Sequence, residues 1–205
     1  MKLRKNWYKH VIACLASTML LGCVSLRLPT DTTSALSQKQ NYAQRQVQLV
    51  NITQWAIQGA FSIQYHDRND IANYWWWQKD DRYRIRIASS LNLYTATMNG
   101  TPNTVLFSRD DHHYSAATPE QLMQQQLGWM LPVRNLVYWL RDLTAPNISY
   151  RAQYDALGHL VQLQQQGWII QFTQFDAVKN RDLPRLLNLS RPGIKVRIVI
   201  KQWKI

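Results

Sequence analysis

Residues 82–87 read Arg-Tyr-Arg-Ile-Arg-Ile, and this strict alternation constrains the fold more than any other stretch of the chain. A helix would scatter the three arginines around its axis. Only a period of two puts Tyr83, Ile85 and Ile87 on one face and Arg82, Arg84 and Arg86 on the other. The segment therefore reads as a β-strand with one greasy and one cationic face, and such a strand needs neighbours. Two stand just upstream. In the first, Ile57, Gly59, Phe61, Ile63 and Tyr65 alternate with small or polar residues, the pattern of a half-buried strand. The second, Ile71–Gln78, reads Ile-Ala-Asn-Tyr-Trp-Trp-Trp-Gln, so Trp75 and Trp77 share one face while Tyr74 and Trp76 share the other. Turns over His66–Asp70 and at Lys79-Asp80-Asp81 join these runs as antiparallel neighbours.

Further strands are expected over Leu93–Asn99, Val105–Ser108 and His113–Ala116. The pattern then breaks. Thr118-Pro119-Glu120-Gln121 supplies a capping residue, a proline at the first helical position and a glutamine at the capping-box position, and Gly128 supplies the stop. A second helix follows Pro132, with Val133, Leu136, Val137, Leu140 and Leu143 on one side and Trp139 beside them. Strands resume over Ile148–Tyr154, Leu160–Gln165, Trp168–Phe175, Leu186–Ser190 and Ile194–Trp203. A third helix is expected ahead of the sheet, over Ala35–Val50, with Leu36, Ala43, Val47 and Val50 as a narrow apolar stripe. The fold class is mainly β, a long antiparallel sheet broken once by a helical pair able to cover its curled interior.

The amino terminus sets the compartment. Lys2, Arg4, Lys5 and Lys9 precede an apolar run from Val11 to Leu21, which is far short of the roughly 20 residues that span a bilayer. This is an export signal. Its end, Leu20-Leu21-Gly22-Cys23, has the form of a lipoprotein cleavage site, so residues 1–22 are expected to be removed and Cys23 to carry the acyl chains. Stable anchoring requires two or more such chains. Residues 23–35, rich in Thr and Ser, read as a lipidated terminus and flexible tether, and residues 36–205 as one domain. With Cys14 in the signal and Cys23 acylated, no internal disulfide is expected. The whole chain carries a formal charge of +12. It remains basic after the four signal cations are lost; export makes phospholipid headgroups, rather than nucleic acid, the more accessible anion, and a soluble surface that is basic without an anionic partner is the equal alternative.

Several stretches together, in order, resemble the LolB family of outer-membrane lipoproteins. They are the Leu-Leu-Gly-Cys box, Gln58–Ile63, Trp77-Gln78 with the following Asp81–Ile85, Tyr114–Met123, Leu127–Leu140 and the closing Ile194–Ile205. The resemblance implies an unclosed antiparallel β-barrel with a helical lid. It also implies a function: accepting lipoproteins from a LolA-like periplasmic carrier and inserting them into the outer membrane. Val24 after the cysteine agrees with outer-membrane sorting. On this reading Phe61, Ile63, Trp75, Trp77, Ile85, Ile87 and Met98 line a cavity for acyl chains, under a lid carrying Leu127, Trp129, Leu136, Trp139 and Leu140. Leu91, helped by Leu93, is the membrane-inserting tip. Here Ser90-Leu91-Asn92 replaces the family's usual Pro-Leu-Gly, and asparagine can supply the left-handed turn geometry of the lost glycine. The partners implied are the carrier, its acylated cargo and outer-membrane phospholipids, with the chain acting as a monomer.

Chemistry has little local support. His66, His112, His113 and His159 lack metal-ligand spacing and read as solvated turn or strand residues, and no metal or other cofactor is expected. Asp80-Asp81 and Asp110-Asp111 resemble paired carboxylates but fall where aspartate favours turns. Neither a nucleophile elbow nor a phosphate loop is present, so no enzyme activity is expected. The competing readings are an assembly lipoprotein that binds a protein partner and uses its apolar residues only as core, and a lipid-processing enzyme.

Overall fold

The computed structural model describes residues 32–89 and 95–205, with side chains from residue 38 onward. Cys23, Leu91 and Leu93 lie outside the described residues. Ser34–Ile205 forms one compact unit. Among the described residues no helix is long and apolar enough to cross a membrane.

Eleven strands form one antiparallel sheet. They are β1 (Gln54–Tyr65), β2 (Arg68–Lys79), β3 (Arg82–Ser89), β4 (Thr95–Gly100), β5 (Val105–Arg109), β6 (His112–Ala116), β7 (Tyr150–Tyr154), β8 (Leu160–Gln165), β9 (Trp168–Val178), β10 (Arg181–Arg191) and β11 (Ile194–Lys204). Their order is β6-β5-β4-β3-β2-β1-β11-β10-β9-β8-β7. Every connection within each half is therefore a hairpin or short loop, and the two halves meet where β1 pairs with β11. Since β6 and β7 are not paired, the barrel stays open. Alternation is strict where the sheet is most regular: in β1 the residues Trp55, Ile57, Gly59, Phe61 and Ile63 are buried, with exposed or half-buried residues between them.

Two irregularities bend the sheet. The β1–β11 register shifts between Gln58 and Gly59. Gly59 is needed there, because a Cβ would stand 1.9 Å from the Val199 carbonyl oxygen. The second is at Pro184 in β10, where the register with β9 also shifts. A proline inside a sheet is tolerated at such a bulge, which is why β10 begins at Arg181 rather than at the expected Leu186. The Pro184 carbonyl, freed from the ladder, accepts from Trp203 Nε1 at 3.0 Å.

Three helices accompany the sheet: α1 (Thr32–Val50), α2 (Pro119–Leu127) and α3 (Val133–Trp139). Helix α2 is built as its sequence signals require. Thr118 Oγ1 accepts from the Gln121 amide at 3.3 Å, and Gly128 closes the helix in the left-handed region at φ 78°. Helix α1 begins at Thr32 and so takes up the last residues assigned to the tether. Its orientation corrects the expected stripe. Ala43, Val47 and Val50 face solvent, and the buried residues are Tyr42 and Leu49.

Polar anchoring overrides the narrow apolar stripe. The Tyr42 ring stacks on Tyr154 at 4.5 Å, its hydroxyl accepts from the Thr144 amide at 3.3 Å, and Arg45 pairs with the fully buried Asp142 at 2.9 Å. Asp142 Oδ1 also accepts from the Leu160 amide at 3.0 Å. Burial pushes the Asp142 carboxyl up to about 7, against the opposing hydrogen bond and charge of Arg45. His159 is likewise buried rather than solvated. It lies between Asp155 at 2.6 Å and Asp182 at 3.2 Å, with its ring stacked 4.3 Å from Phe175.

Candidate functional site: an apolar cavity beneath the helices

The inner face of the sheet and the two middle helices enclose a cavity of about 60 Å³. Its floor is Phe61 of β1, Tyr74 and Trp76 of β2, Ile85 and Ile87 of β3 and Ile198 of β11. Its cover is Met123 of α2, Trp129 and Leu131 of the connector, and Val133, Leu136 and Leu140 of α3 and its end. No charged side chain lines it. Two of the polar groups among these residues are paired: Tyr74 Oη donates to the Val199 carbonyl at 3.3 Å, and Trp76 Nε1 donates to Gln78 Oε1 at 3.0 Å. Burial holds the Tyr74 phenol neutral, far above its usual range. The surface the wall presents is thus wholly apolar, while the Tyr74 and Trp76 donors both have partners.

Strand register decides which aromatic residues reach this space, and it corrects the expectation for Trp75 and Trp77. Lys79 pairs with Arg82 across a turn of two residues, so Trp76 stands opposite Ile85 and Tyr74 opposite Ile87. Residues directly opposite share a face. Trp77 therefore stands opposite Arg84, and Trp75 opposite Arg86, on the outside of the sheet. Trp77 is 45% exposed, and the Arg86 guanidinium lies 5.3 Å from the Trp75 ring.

Of the other residues expected in the cavity, Phe61, Ile85 and Ile87 line it, whereas Ile63 and Met98 are buried in the surrounding core without reaching it. Tyr74, Trp76, Ile198, Met123, Leu131 and Val133 were not anticipated. For Tyr74 and Trp76 the signal was available in the Asp80-Asp81 turn, from which pairing could be counted back along both strands. For Ile198 it lay in the alternation of the last strand.

The cover has two differently held parts. Helix α3 is fastened by polar contacts to the β8–β9 hairpin. Trp139 Nε1 donates to Gln165 Oε1 at 2.9 Å, and Asn135 Nδ2 donates to Gln166 Oε1. The same Gln165 also donates to the carbonyls of Ala145 at 2.8 Å and Ile148 at 3.1 Å. Beyond α3, Arg141 Nη1 donates to the Ile52 carbonyl at 2.7 Å. Trp139, expected in the lid, is thus a fully buried anchor, and Leu127 is only partly buried at the core's margin. Trp129, Leu136 and Leu140 do cover the cavity. Helix α2 makes no side-chain hydrogen bond to the sheet among the described residues. It and the connector rest on apolar contact alone, such as the edge-on packing of Trp129 against Phe61 at 5.8 Å.

Among the described residues no cluster of three or more His, Cys, Asp or Glu is placed to hold a metal ion. Asp80 and Asp110 occupy turns with φ 50° and 52°, in keeping with a turn-forming role.

A family model described as outer membrane lipoprotein LolB matches residues 53–203. The outer-membrane lipoprotein LolB of Coxiella burnetii (strain RSA 493 / Nine Mile phase I) is 49% identical over 198 residues, covering 96% of this chain and 93% of the relative. That of Ectopseudomonas mendocina is 32% identical over 96% of both chains. In fold the chain is similar to a LolA superfamily protein from Nitrosomonas europaea, with a TM-score of 0.53 at 8% identity over 83% of this chain and 93% of the other. A DUF1329 family protein from Desulfovibrio piger gives 0.51 at 6% identity, over 83% of this chain and 92% of the other.

Proposed function

This chain belongs to the LolB family of outer-membrane lipoproteins, and we propose that it accepts lipoproteins from a LolA-like carrier and releases them into the outer membrane, holding their acyl chains in the cavity described above. The observation that carries this reading is a fully apolar cavity whose cover is partly unfastened. Moving an acylated protein through water would expose dozens of methylenes at about 0.8 kcal/mol each, a barrier of tens of kcal/mol. An apolar interior removes most of that barrier. The closed cavity of about 60 Å³ is far smaller than the roughly 300–1,000 Å³ of ordinary ligand pockets. The resting protein is therefore closed, and cargo enters as the cover lifts.

Binding and release suffice for such a role, and the protein acts without bond chemistry, as a monomer. Cys23 is the lipid anchor. Leu91 and Leu93 form the tip that enters the bilayer when cargo is released. The common architecture with a LolA superfamily protein suits transfer between two similar apolar interiors.

A transfer assay with carrier-bound lipoprotein and liposomes tests this. The wild-type chain is expected to take up cargo and deliver it. Leu91→Glu should leave melting and uptake unchanged but abolish delivery, because a charge is costly in the acyl region. A folded wild-type chain that takes up no acylated cargo would overturn the proposal. Normal delivery by Leu91→Glu would move the membrane-inserting role to another surface.

A further inference from the structure

The outer face of the central sheet has no role in holding cargo, yet its composition is not that of a neutral solvent face. The strands β11, β1, β2, β3 and β4 are contiguous. They carry two Lys or Arg residues in β2, three in β3 and four in β11, against one acidic side chain, Asp70. Asp70 pairs with the buried Ile63 and Arg68 with Tyr65, which places both on the inner side and leaves Lys79 as the outer cation of β2. The other nearby acids, Asp67, Asp80 and Asp81, sit in the turns beyond the two ends of β2. On the outer side Arg82, Arg84 and Arg86 project in a row from β3. Beside them on the outer face of β2 stand Ile71, 53% exposed, and Trp77, 45% exposed, with Asn73 and Trp75 between them. A groove of about 700 Å³ next to Trp77 takes walls from Lys79, Arg82, Arg84 and Lys204.

We propose that this outer face of β2, β3 and β11 lies against an anionic phospholipid surface, as a membrane contact separate from both the acyl anchor and the Leu91 tip. Three observations point to lipid. Indole rings interleaved with arginine match the boundary between headgroups and acyl chains, where an aromatic body and a polar edge are both satisfied. The cation row has no acidic side chain on its own face to neutralise it, so it complements headgroup phosphates. The family's outer-membrane location keeps the face beside a bilayer, so even weak contact is raised to a high effective concentration. The inference rests on that location and not on cargo transfer. Arg86 lies along the Trp75 ring at 5.3 Å, and Arg84 Nε donates to Asn99 Oδ1 at 2.9 Å. Both guanidinium groups are thus held along the sheet in a fixed row.

The test uses a Cys23→Ala chain exported behind a cleavable signal, so that acylation does not itself hold the protein to lipid. Binding is measured to vesicles of phosphatidylethanolamine with phosphatidylglycerol, and to vesicles of phosphatidylcholine alone. The parent is expected to prefer the anionic vesicles and to be released by salt. Arg84→Glu with Arg86→Glu should weaken that binding by about tenfold or more. Trp77→Ala should weaken it less and should also lower what remains on neutral vesicles. Both variants should keep the parent's melting temperature and its uptake of cargo from the carrier.

Unchanged vesicle binding in both variants overturns the proposal. So does normal vesicle binding with lost cargo uptake, which would make the face a dock for an acidic protein. If the double reversal fails to fold, Trp77→Phe decides. Brominated lipid should quench the parent's tryptophan emission more than that of Trp77→Phe, and equal quenching overturns the proposal. Failure of cargo uptake in the parent would count against the receptor reading alone, leaving the vesicle result intact.

Discussion

Trp76 and Trp77 are adjacent and chemically identical, yet the pleat gives them opposite fates. Trp76 is buried against the cavity with its donor satisfied by Gln78, so Trp76→Ala should lower stability by about 3–5 kcal/mol. Trp77→Ala, on the outer face, should stay within about 0.5 kcal/mol. Urea unfolding of the two variants checks the difference, and equal losses would contradict the register described here. Asp142 adds a pH dependence. The folded state keeps this proton up to about 7, whereas the unfolded chain, at the usual 3.8, gives it up much earlier. Between those values folding takes up a proton. This group's contribution is therefore fullest below about pH 4, declines as pH rises towards 7 and is level above that. Asp142→Asn should remove that decline, as unfolding measured at about pH 4 and about pH 8 would show. The outward turn of Trp75 and Trp77 was legible from the two-residue Asp80-Asp81 turn and the Arg84 and Arg86 alternation. The fate of Asp142 was not, because its partner Arg45 is 97 residues away in the chain.

At the scale of elements, local signals marked where structure begins and ends better than what each element packs against. The cap at Thr118, the stop at Gly128 and the period of two in β1 and β3 all depend on near neighbours, and all are found in the structure. The burial of α1 through Tyr42 and Arg45 depends on Tyr154, Thr144 and Asp142, which no local pattern reveals. The contrast between α2 and α3 is of the same kind, since the anchor of Trp139 is Gln165 on a distant hairpin. It carries a consequence for opening. Amides of Pro119–Leu127 should exchange with solvent faster than those of Val133–Trp139, because α2 can lift away by breaking apolar contacts alone. Hydrogen exchange resolved by peptide tests this. Equal protection of the two helices would mean that the cover moves as one piece.

For the whole molecule, loading and opening should be two readings of one equilibrium. A soluble acyl-chain ligand that binds only the folded state should raise the melting temperature, by the equivalent of about 2.7 kcal/mol at a hundredfold excess over its Kd. It should at the same time lower protection in α2. Stabilisation without loosening would place the ligand outside the cavity.

The joint between the two halves of the sheet has a different consequence, in the order of events during synthesis. The strands β1 and β11 pair directly, Ala56 with Lys204, so the central seam cannot close until the last strand has emerged. Until then the chain holds two separate meanders, each able to form local hairpins but neither able to cover the other's open edge. Such distant pairing makes folding slow, which leaves the chain time to cross a membrane before it becomes compact. Gly59→Ala, which forces a side chain against the Val199 carbonyl at that seam, should slow refolding if the seam forms at the rate-limiting step and speed unfolding if it forms afterwards.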